Sequence, residues 1–214
     1  PKPTVHRILK SLRDLGYVTP AEARGSYALS ERLSSLKAHG RDSALRNVAQ
    51  PLMRELHERF DETVNLGVLE GIYVRYAHVT ETAQALRWIV KPGARDLFHT
   101  TALGRAIVAH LPDEQQARLV TKVCSEIPAR KRKAARQRLE AELTATRDRG
   151  CAIEEEETVA GVACIAISLT TQNEPLAGIS VSVPVNRFPT ERRRALINAM
   201  QLLGQEPSKH RAPA

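Results

Sequence analysis

Three groups of residues in this 214-residue sequence combine types and spacings that could do chemistry. The first lies near the start, where Lys2, Thr4, His6, Arg7, Lys10 and Arg13 are interleaved with Val5, Ile8, Leu9, Leu12 and Leu15. On a helix the apolar residues, recurring at steps of three and four, draw one stripe and leave the donors on the remaining surface. A short helix with a cationic, donor-rich outer face has the dimensions to enter a DNA major groove. An ordinary amphipathic surface helix would carry the same pattern. The second group is Thr100-Thr101-Ala102-Leu103-Gly104. Thr100 or Thr101 can N-cap a helix, which exposes the N–H groups of Ala102 and Leu103 at its positive end. A carboxylate placed there gains on the order of 0.3–2 kcal/mol from the helix dipole. In an arbitrary helix, the cap and water satisfy those groups instead.

The third group is Glu154, Cys164, Ser180 and Ser182. Four acids in a row, Glu154–Glu157, usually mark a solvated loop, although strand alternation would turn Ile153 and Glu154 to opposite faces. Cys164 sits in the apolar run Val162–Ile167, where a cysteine is commonly a small buried hydrophobe. Ser180 and Ser182, two apart in a strand, share one face of an otherwise apolar segment and need partners, either across the sheet or in a ligand. Cys164 with His99 supplies the thiol and imidazole of a thiol hydrolase, but no third group orients the base, so no catalytic residues are expected.

These groups need elements to hold them. Gly16 can end the first helix in a left-handed cap. Tyr17-Val18 and Ser26–Ser30 read as short strands around the polar tip Thr19–Arg24, and Arg24 could reach a phosphate. Helix, strand, tip, strand is the order of a winged helix-turn-helix. Residues 1–46 hold nine Lys/Arg against four Asp/Glu, and the rest twenty-three against twenty, so most of the net +8 charge lies early, which suits a polyanionic partner. The apolar stripe needs an earlier helix to pack on, so the sequence is expected to be a piece of a longer chain.

Downstream, a linking helix is predicted from Glu31 to Phe60, broken or kinked at Gly40 and Pro51. Strands follow at Thr63–Leu69 and Ile72–Val79, joined at Glu70-Gly71, with a third at Ala85–Val90. Helices are expected at Ala102–Leu111, Asp113–Val123 and Ala129–Arg149. Strands come next at Cys151–Glu154, Ala163–Leu169 and Leu176–Val183, the last two turning at Gln172–Glu174, and then a helix at Thr190–Leu203. The fold class is α+β, with a central antiparallel sheet flanked by helices. The domains are drawn as a winged helix-turn-helix over 1–29, a linker helix over 30–60, an α+β domain over 61–205 and a disordered tail over 206–214. The basic run Arg130–Lys133 with Arg136 and Arg138 reads as a solvated helix face rather than a second nucleic-acid patch, since no aromatic residue interleaves it for base stacking.

Hydrophobic residues make up 42 % of the chain, enough for a core, and no apolar run approaches the ~20 residues of a membrane span. Three cysteines, an odd number without a C-x-x-C pair, suit a reducing cytoplasm. Seven histidines lack metal-ligand spacing, so neither a metal nor a cofactor is expected.

Several motifs, in order along nearly the whole chain, carry a family resemblance. They are Pro1–Leu12 with Leu15–Val18 and Tyr27–Leu29, Ala49–Leu56, Glu62–Leu66, His99–Ala106, Gly161–Ala166 and Ile179–Pro184. Together they resemble the IclR family of bacterial transcriptional regulators. The resemblance implies a GAF-like effector domain, a double-stranded DNA operator as partner, a homodimer or tetramer, and a small organic acid as effector. It also implies effector contacts from the backbone at Ala102 and Leu103, from Glu154, Cys164, Ser180 and Ser182, and from Leu86 as an apolar wall. The family's acid is commonly Asp where Glu154 stands, and Pro3 replaces a common Ser. Lys2, Arg13 and Arg24 would serve phosphates, and Thr4, His6 and Arg7 base edges. A small-molecule sensor acting only on protein partners is the other binding reading.

Overall fold

A left-handed turn at Gly16, with φ at 73°, ends the first helix, α1 (Lys2–Asp14). Gly16 donates its N–H to Arg13 at 2.9 Å and Tyr17 donates to Leu12 at 2.8 Å, which closes the last carbonyls. Strands β1 (Val18–Pro20) and β2 (Tyr27–Leu29) then pair antiparallel, with Val18 opposite Leu29. Ser30 Oγ ties their base to the Gly16 carbonyl at 2.5 Å. The structure is a computed structural model describing residues 2–21, 25–171 and 174–205. Arg24, the turn at Gln172-Asn173 and the 206–214 tail lie outside those residues.

The chain divides into two compact units, Pro1–Leu45 and Arg46–Ala214. In the first, Leu9 and Leu12 of the α1 stripe are half-buried, while Val5, Ile8 and Leu15 stay exposed.

Helix α2 (Glu31–Phe60) continues through Gly40 and Pro51, so of the expected break or kink the break does not occur. An internal proline costs a helix about 3 kcal/mol. Leu45, Ala49, Leu52, Met53, Leu56 and Phe60 are all buried at helical spacing. Burying a Leu- or Phe-sized side chain is worth about 1.5–3 kcal/mol each, so together they outweigh the proline.

The second unit is built on one antiparallel sheet ordered β5-β4-β3-β8-β7-β6. Its strands are β3 (Thr63–Glu70), β4 (Tyr73–Thr80), β5 (Arg95–Leu97), β6 (Ala152–Glu155), β7 (Val162–Thr171) and β8 (Glu174–Pro184). Three helices, α3 (Ala102–Ala109), α4 (Asp113–Ser125) and α5 (Ala129–Arg149), fall between β5 and β6. A last helix, α6 (Thr190–Gln205), packs on β7. The α+β class read from the sequence therefore holds.

One strand moves. Ala85–Val90 is not a strand, because the edge of β4 is already taken. Tyr76 exchanges backbone hydrogen bonds with Gly93 and Ala94, and β5 pairs with Tyr73–Arg75, leaving residues 85–90 no ladder to join. They form an irregular crossing instead.

Helix α3 lies close on the sheet because β3 and β8 offer it Gly67 and Gly178, which face each other in register. A Cβ on either would press on Leu103 of α3. Ala102, Leu103, Ala106 and Ile107 are consequently at most 1 % exposed.

Candidate functional site

Strand register assembles the site. Asn65 of β3 faces Ser180 of β8, Ser182 faces Cys164 of β7, and Cys164 faces Glu154 of β6. Paired residues share a face, and residues two apart share it too, so these five side chains belong to the face on which α3 lies. Gly67 and Gly178 continue that face under Leu103, which leaves its polar part next to the N-terminus of α3.

There the structure holds a cavity of about 30 Å³ lined by Tyr76, Trp88, Asp96, Thr101, Ala102, Leu103, Glu154, Thr158, Cys164, Ser180 and Ser182, with Asn65 outside the lining. That is room for little more than two waters. Thr101 is the N-cap, its Oγ1 accepting from the Gly104 N–H at 3.0 Å. Ala102 and Leu103 stand in the first turn of α3, where N–H groups have no intrahelical carbonyl to bond.

Ser180, Ser182 and Cys164 form the cavity's floor in an otherwise apolar sheet, and Asn65 joins them from outside the lining. Asn65, 1 % exposed, donates Nδ2 to Ser180 Oγ at 3.3 Å and Ser182 Oγ at 3.1 Å. Cys164 Sγ donates to Ser182 Oγ at 3.3 Å. Asn65 Oδ1 is buried with no hydrogen-bond partner among the described residues. Burial, with the Glu154 carboxylate beside it, pushes the Cys164 thiol up to about 12, so it stays protonated at neutral pH. His99 lines a different cavity with Arg105 and Glu157, so the thiol and imidazole do not form a pair.

Glu154 is 2 % exposed and turned to structural use: its Oε1 accepts from the backbone N–H groups of Glu157 at 2.8 Å and Thr158 at 2.9 Å. The four-acid run is thus a capped loop. Its tight turn puts Glu156 at φ 56°, a left-handed conformation that non-glycine residues seldom adopt. Tyr76 donates its hydroxyl to Asp96 Oδ2 at 3.0 Å on the cavity wall, and burial drives the Tyr76 pKa upward. Among the described residues two carboxylates, Asp96 and Glu154, line this cavity, and no Lys or Arg does.

Leu86 corrects an expectation. Its side chain is 57 % exposed and does not line the cavity, and Trp88 stands there instead. Leu86 contributes its carbonyl, which accepts from Arg187 Nη1 at 2.8 Å. Asn65, Tyr76, Asp96 and Trp88 went unread in the sequence. Asn65 carried the one usable signal, a carboxamide between Val64 and Leu66 in a strand buried on both faces.

In α1, Thr4, His6, Arg7, Lys10 and Arg13 are all exposed, and Arg13 lies 3.7 Å from Asp14. Lys2 belongs to the helix, its side chain lying outside the description. The basic run on α5 serves the fold in part: Arg132 donates to the carbonyls of Cys124, Ser125 and Ile127, and Arg136 pairs with Glu140 at 2.8 Å. Among the described residues no cluster of His, Cys, Asp and Glu is arranged to hold a metal ion, and no helix is long and apolar enough to cross a membrane.

The family model for the bacterial transcriptional regulator IclR C-terminal domain matches residues 39–209. The HTH-type transcriptional regulator BhcR of Paracoccus denitrificans is 31 % identical over 212 residues, 98 % of this chain and 76 % of BhcR. The crystal structure of Thermotoga maritima IclR superposes with a TM-score of 0.67 at 21 % identity, over 97 % of this chain and 84 % of that one. An IclR homologue from Microbacterium hydrocarbonoxydans, solved with 4-hydroxybenzoate, superposes with a TM-score of 0.61 at 20 % identity, over 96 % of this chain and 86 % of that one.

Proposed function

The chain belongs to the IclR family of bacterial transcriptional regulators, and from that premise we propose that it binds operator DNA under the control of a small organic acid held beneath α3. The observation that carries this reading is the polar network at the floor of the cavity, where Ser180, Ser182 and Cys164 line it and Asn65, outside the lining, bonds both serines. Asn65, Ser180, Ser182 and Cys164 form a polar network in an apolar sheet, with the Asn65 Oδ1 acceptor unused among the described residues. A protein seldom buries such a set without a partner for it. Since the cavity as it stands admits about two waters, the Trp88 crossing would have to move for the acid's carboxylate to meet the Ala102 and Leu103 amides and its hydroxyl or keto end the floor. Glu154 would act through the loop it caps, and Leu86 through its carbonyl.

Regulation would run outward from there. Trp88 lines the cavity, and the crossing it sits on is tied through the Leu86 carbonyl to Arg187. Arg187 grips Glu62, directly after α2, and Arg192 bridges Glu62 and the Phe60 carbonyl at the end of α2. A coupling of about 1–3 kcal/mol suffices for a regulatory response. The exposed face of α1 would read DNA through Thr4, His6 and Arg7, with Lys2, Lys10, Arg13 and Arg24 at phosphates. As a homodimer, or a tetramer made of two dimers, the protein would engage half-sites spaced by about 34 Å or a multiple of it. Such a protein works in the cytoplasm.

One observation favours a second ligand class at the same place. With Asp96 and Glu154 on the wall and no cation there, a neutral hydroxylated molecule would escape the repulsion that an acid meets.

Calorimetric titration against two- and three-carbon oxoacids, 4-hydroxybenzoate and glycerol separates the two ligand classes. A mobility-shift assay on duplexes selected from a random pool then tests control of binding. The reading expects one ligand to bind, to lose affinity in Asn65→Leu, and to change duplex affinity. A pool that yields no bound duplex would sink the DNA half. Ligand binding indifferent to Asn65→Leu would sink the effector half.

A further inference from the structure

A second cavity, of about 220 Å³, lies between α3, α4 and α5, several times the size of the first. Val123, Cys124, Ile127 and Leu139 make most of it apolar. Its polar end is built from Arg105, Glu157 and Glu142. Arg105, 5 % exposed, donates Nη1 and Nη2 to the Glu157 carboxylate at 2.9 and 2.6 Å, and Nε to the His99 carbonyl at 2.9 Å. The Glu142 carboxylate is placed differently. Its Oε1 stands 4.0 Å from Arg105 Nη1 and 3.7 Å from Arg149 Nη2, beyond hydrogen-bond reach of either. Arg149 Nη2 is itself buried without a hydrogen-bond partner among the described residues. Glu142 is thus held electrostatically between two guanidiniums while its acceptor capacity toward them goes unused.

We propose that this cavity is a second small-molecule site, built for a neutral, ring-sized compound whose hydroxyl donates to Glu142. Size and charge both lead there. An apolar cavity of about 150 Å³ already admits benzene, so a single substituted ring fits the larger space. The lining sets Arg105 and Arg138 against Glu142 and Glu157, and burial and Arg105 hold His99 in its uncharged form near neutrality. Two guanidiniums and two carboxylates cancel, so the lining favours neither an anion nor a cation, whereas a neutral hydroxyl can donate to Glu142 without adding a charge.

The site shares walls with the first cavity. The Glu157 N–H that caps Glu154 belongs to the residue clasping Arg105. Thr158, on the wall of the first cavity, donates its hydroxyl to the carbonyl of Thr100, on the wall of the second, at 2.7 Å. An occupant that displaces the Arg105–Glu157 clasp therefore moves the cap over the first cavity.

The test is titration of the whole chain with phenol and, separately, benzoate, followed by calorimetry and by amide shifts in heteronuclear NMR. Phenol should bind about tenfold tighter than benzoate or better, since the acid must give up its hydration to a lining whose charges already balance. Its shifts should centre on residues 99–105, 123–127, 139–142 and 157. Ala135→Phe, which fills the cavity, and Glu142→Ala, which removes the acceptor while leaving the apolar lining, should each weaken phenol with unchanged melting behaviour in at least one of the two. Shifts confined to residues 88, 96, 180 and 182, equal affinity for benzoate, or phenol affinity untouched in a folded variant would each overturn the proposal.

Discussion

Glu62 and Arg187, 125 residues apart, meet in a two-pronged ion pair at 2.9 and 2.6 Å, with Glu62 only 1 % exposed. The pair brings the segment after α2 onto the turn that follows β8, and Arg187 reaches on to the Leu86 carbonyl. A carboxylate this deep is stable only because guanidiniums meet it.

Arg187→Ala should therefore cost about 3 kcal/mol, the lower end of what breaking a buried pair costs, because Arg192 still holds Glu62 Oε1 at 3.1 Å. Urea unfolding followed by circular dichroism should show a lower midpoint with an unchanged slope. Arg187→Lys keeps the charge but loses the fork, and should recover only part of the loss.

Gly104→Ala should destabilise more than Gly67→Ala. A methyl at 104 would press into the Phe98 backbone, its Cα and carbonyl, which cannot yield without moving the chain. One at 67 meets the ends of the Leu103 and Val74 side chains, which can turn aside. Overpacking of this kind costs about 1–3 kcal/mol, with Gly104 at or above the top of that range. Comparing the two melting temperatures checks the order.

Acid should weaken the second unit through Glu157. The hydrogen bonds from Arg105 hold its carboxyl below its ordinary 4.5, burial opposing them in part. A carboxylate with a lowered folded pKa contributes stability that is complete above 4.5 and is lost as pH falls through the folded value. Glu157→Gln should lower stability at pH 7 and flatten the decline below pH 4.5. His99 adds an earlier decline starting near its ordinary 6.5, since burial and Arg105 lower its pKa and so disfavour the charged form in the fold. A set of urea midpoints from pH 3 to pH 7.5 separates the two windows, and an unchanged acid limb in Glu157→Gln would contradict the assignment.

Arg7→Ala should weaken binding to a selected duplex by about 1–3 kcal/mol and relax preference at one base pair if Arg7 reads a base edge. Uniform weakening on every duplex, with a shallower salt dependence, would assign it to a phosphate instead.

Much of this protein was legible in its order of residues, because the signals were local. The 3.6-residue stripe of α1, the Gly16 cap, the span Glu31–Phe60 and the helix Ala129–Arg149 with Gly150 behind it depend on neighbours within a few positions. Ser180 and Ser182 could be placed on one face for the same reason, since alternation is a property of the strand itself.

What the tertiary structure alone decided was pairing. That Asn65 answers the two serines depends on β3 lying beside β8 in one register, across 115 and 117 residues of sequence. Ala85–Val90 has the composition of a strand, yet it lost the edge of β4 to Arg95–Leu97, a competition visible only once the hairpin is built. Glu154 also holds the loop beyond it, which folds back two amides onto its Oε1, a partnership no periodicity announces. A residue's periodicity is written in its neighbours along the chain, but its partner is chosen among everything the fold brings within 3 Å, and backbone groups compete for that place as strongly as any ligand.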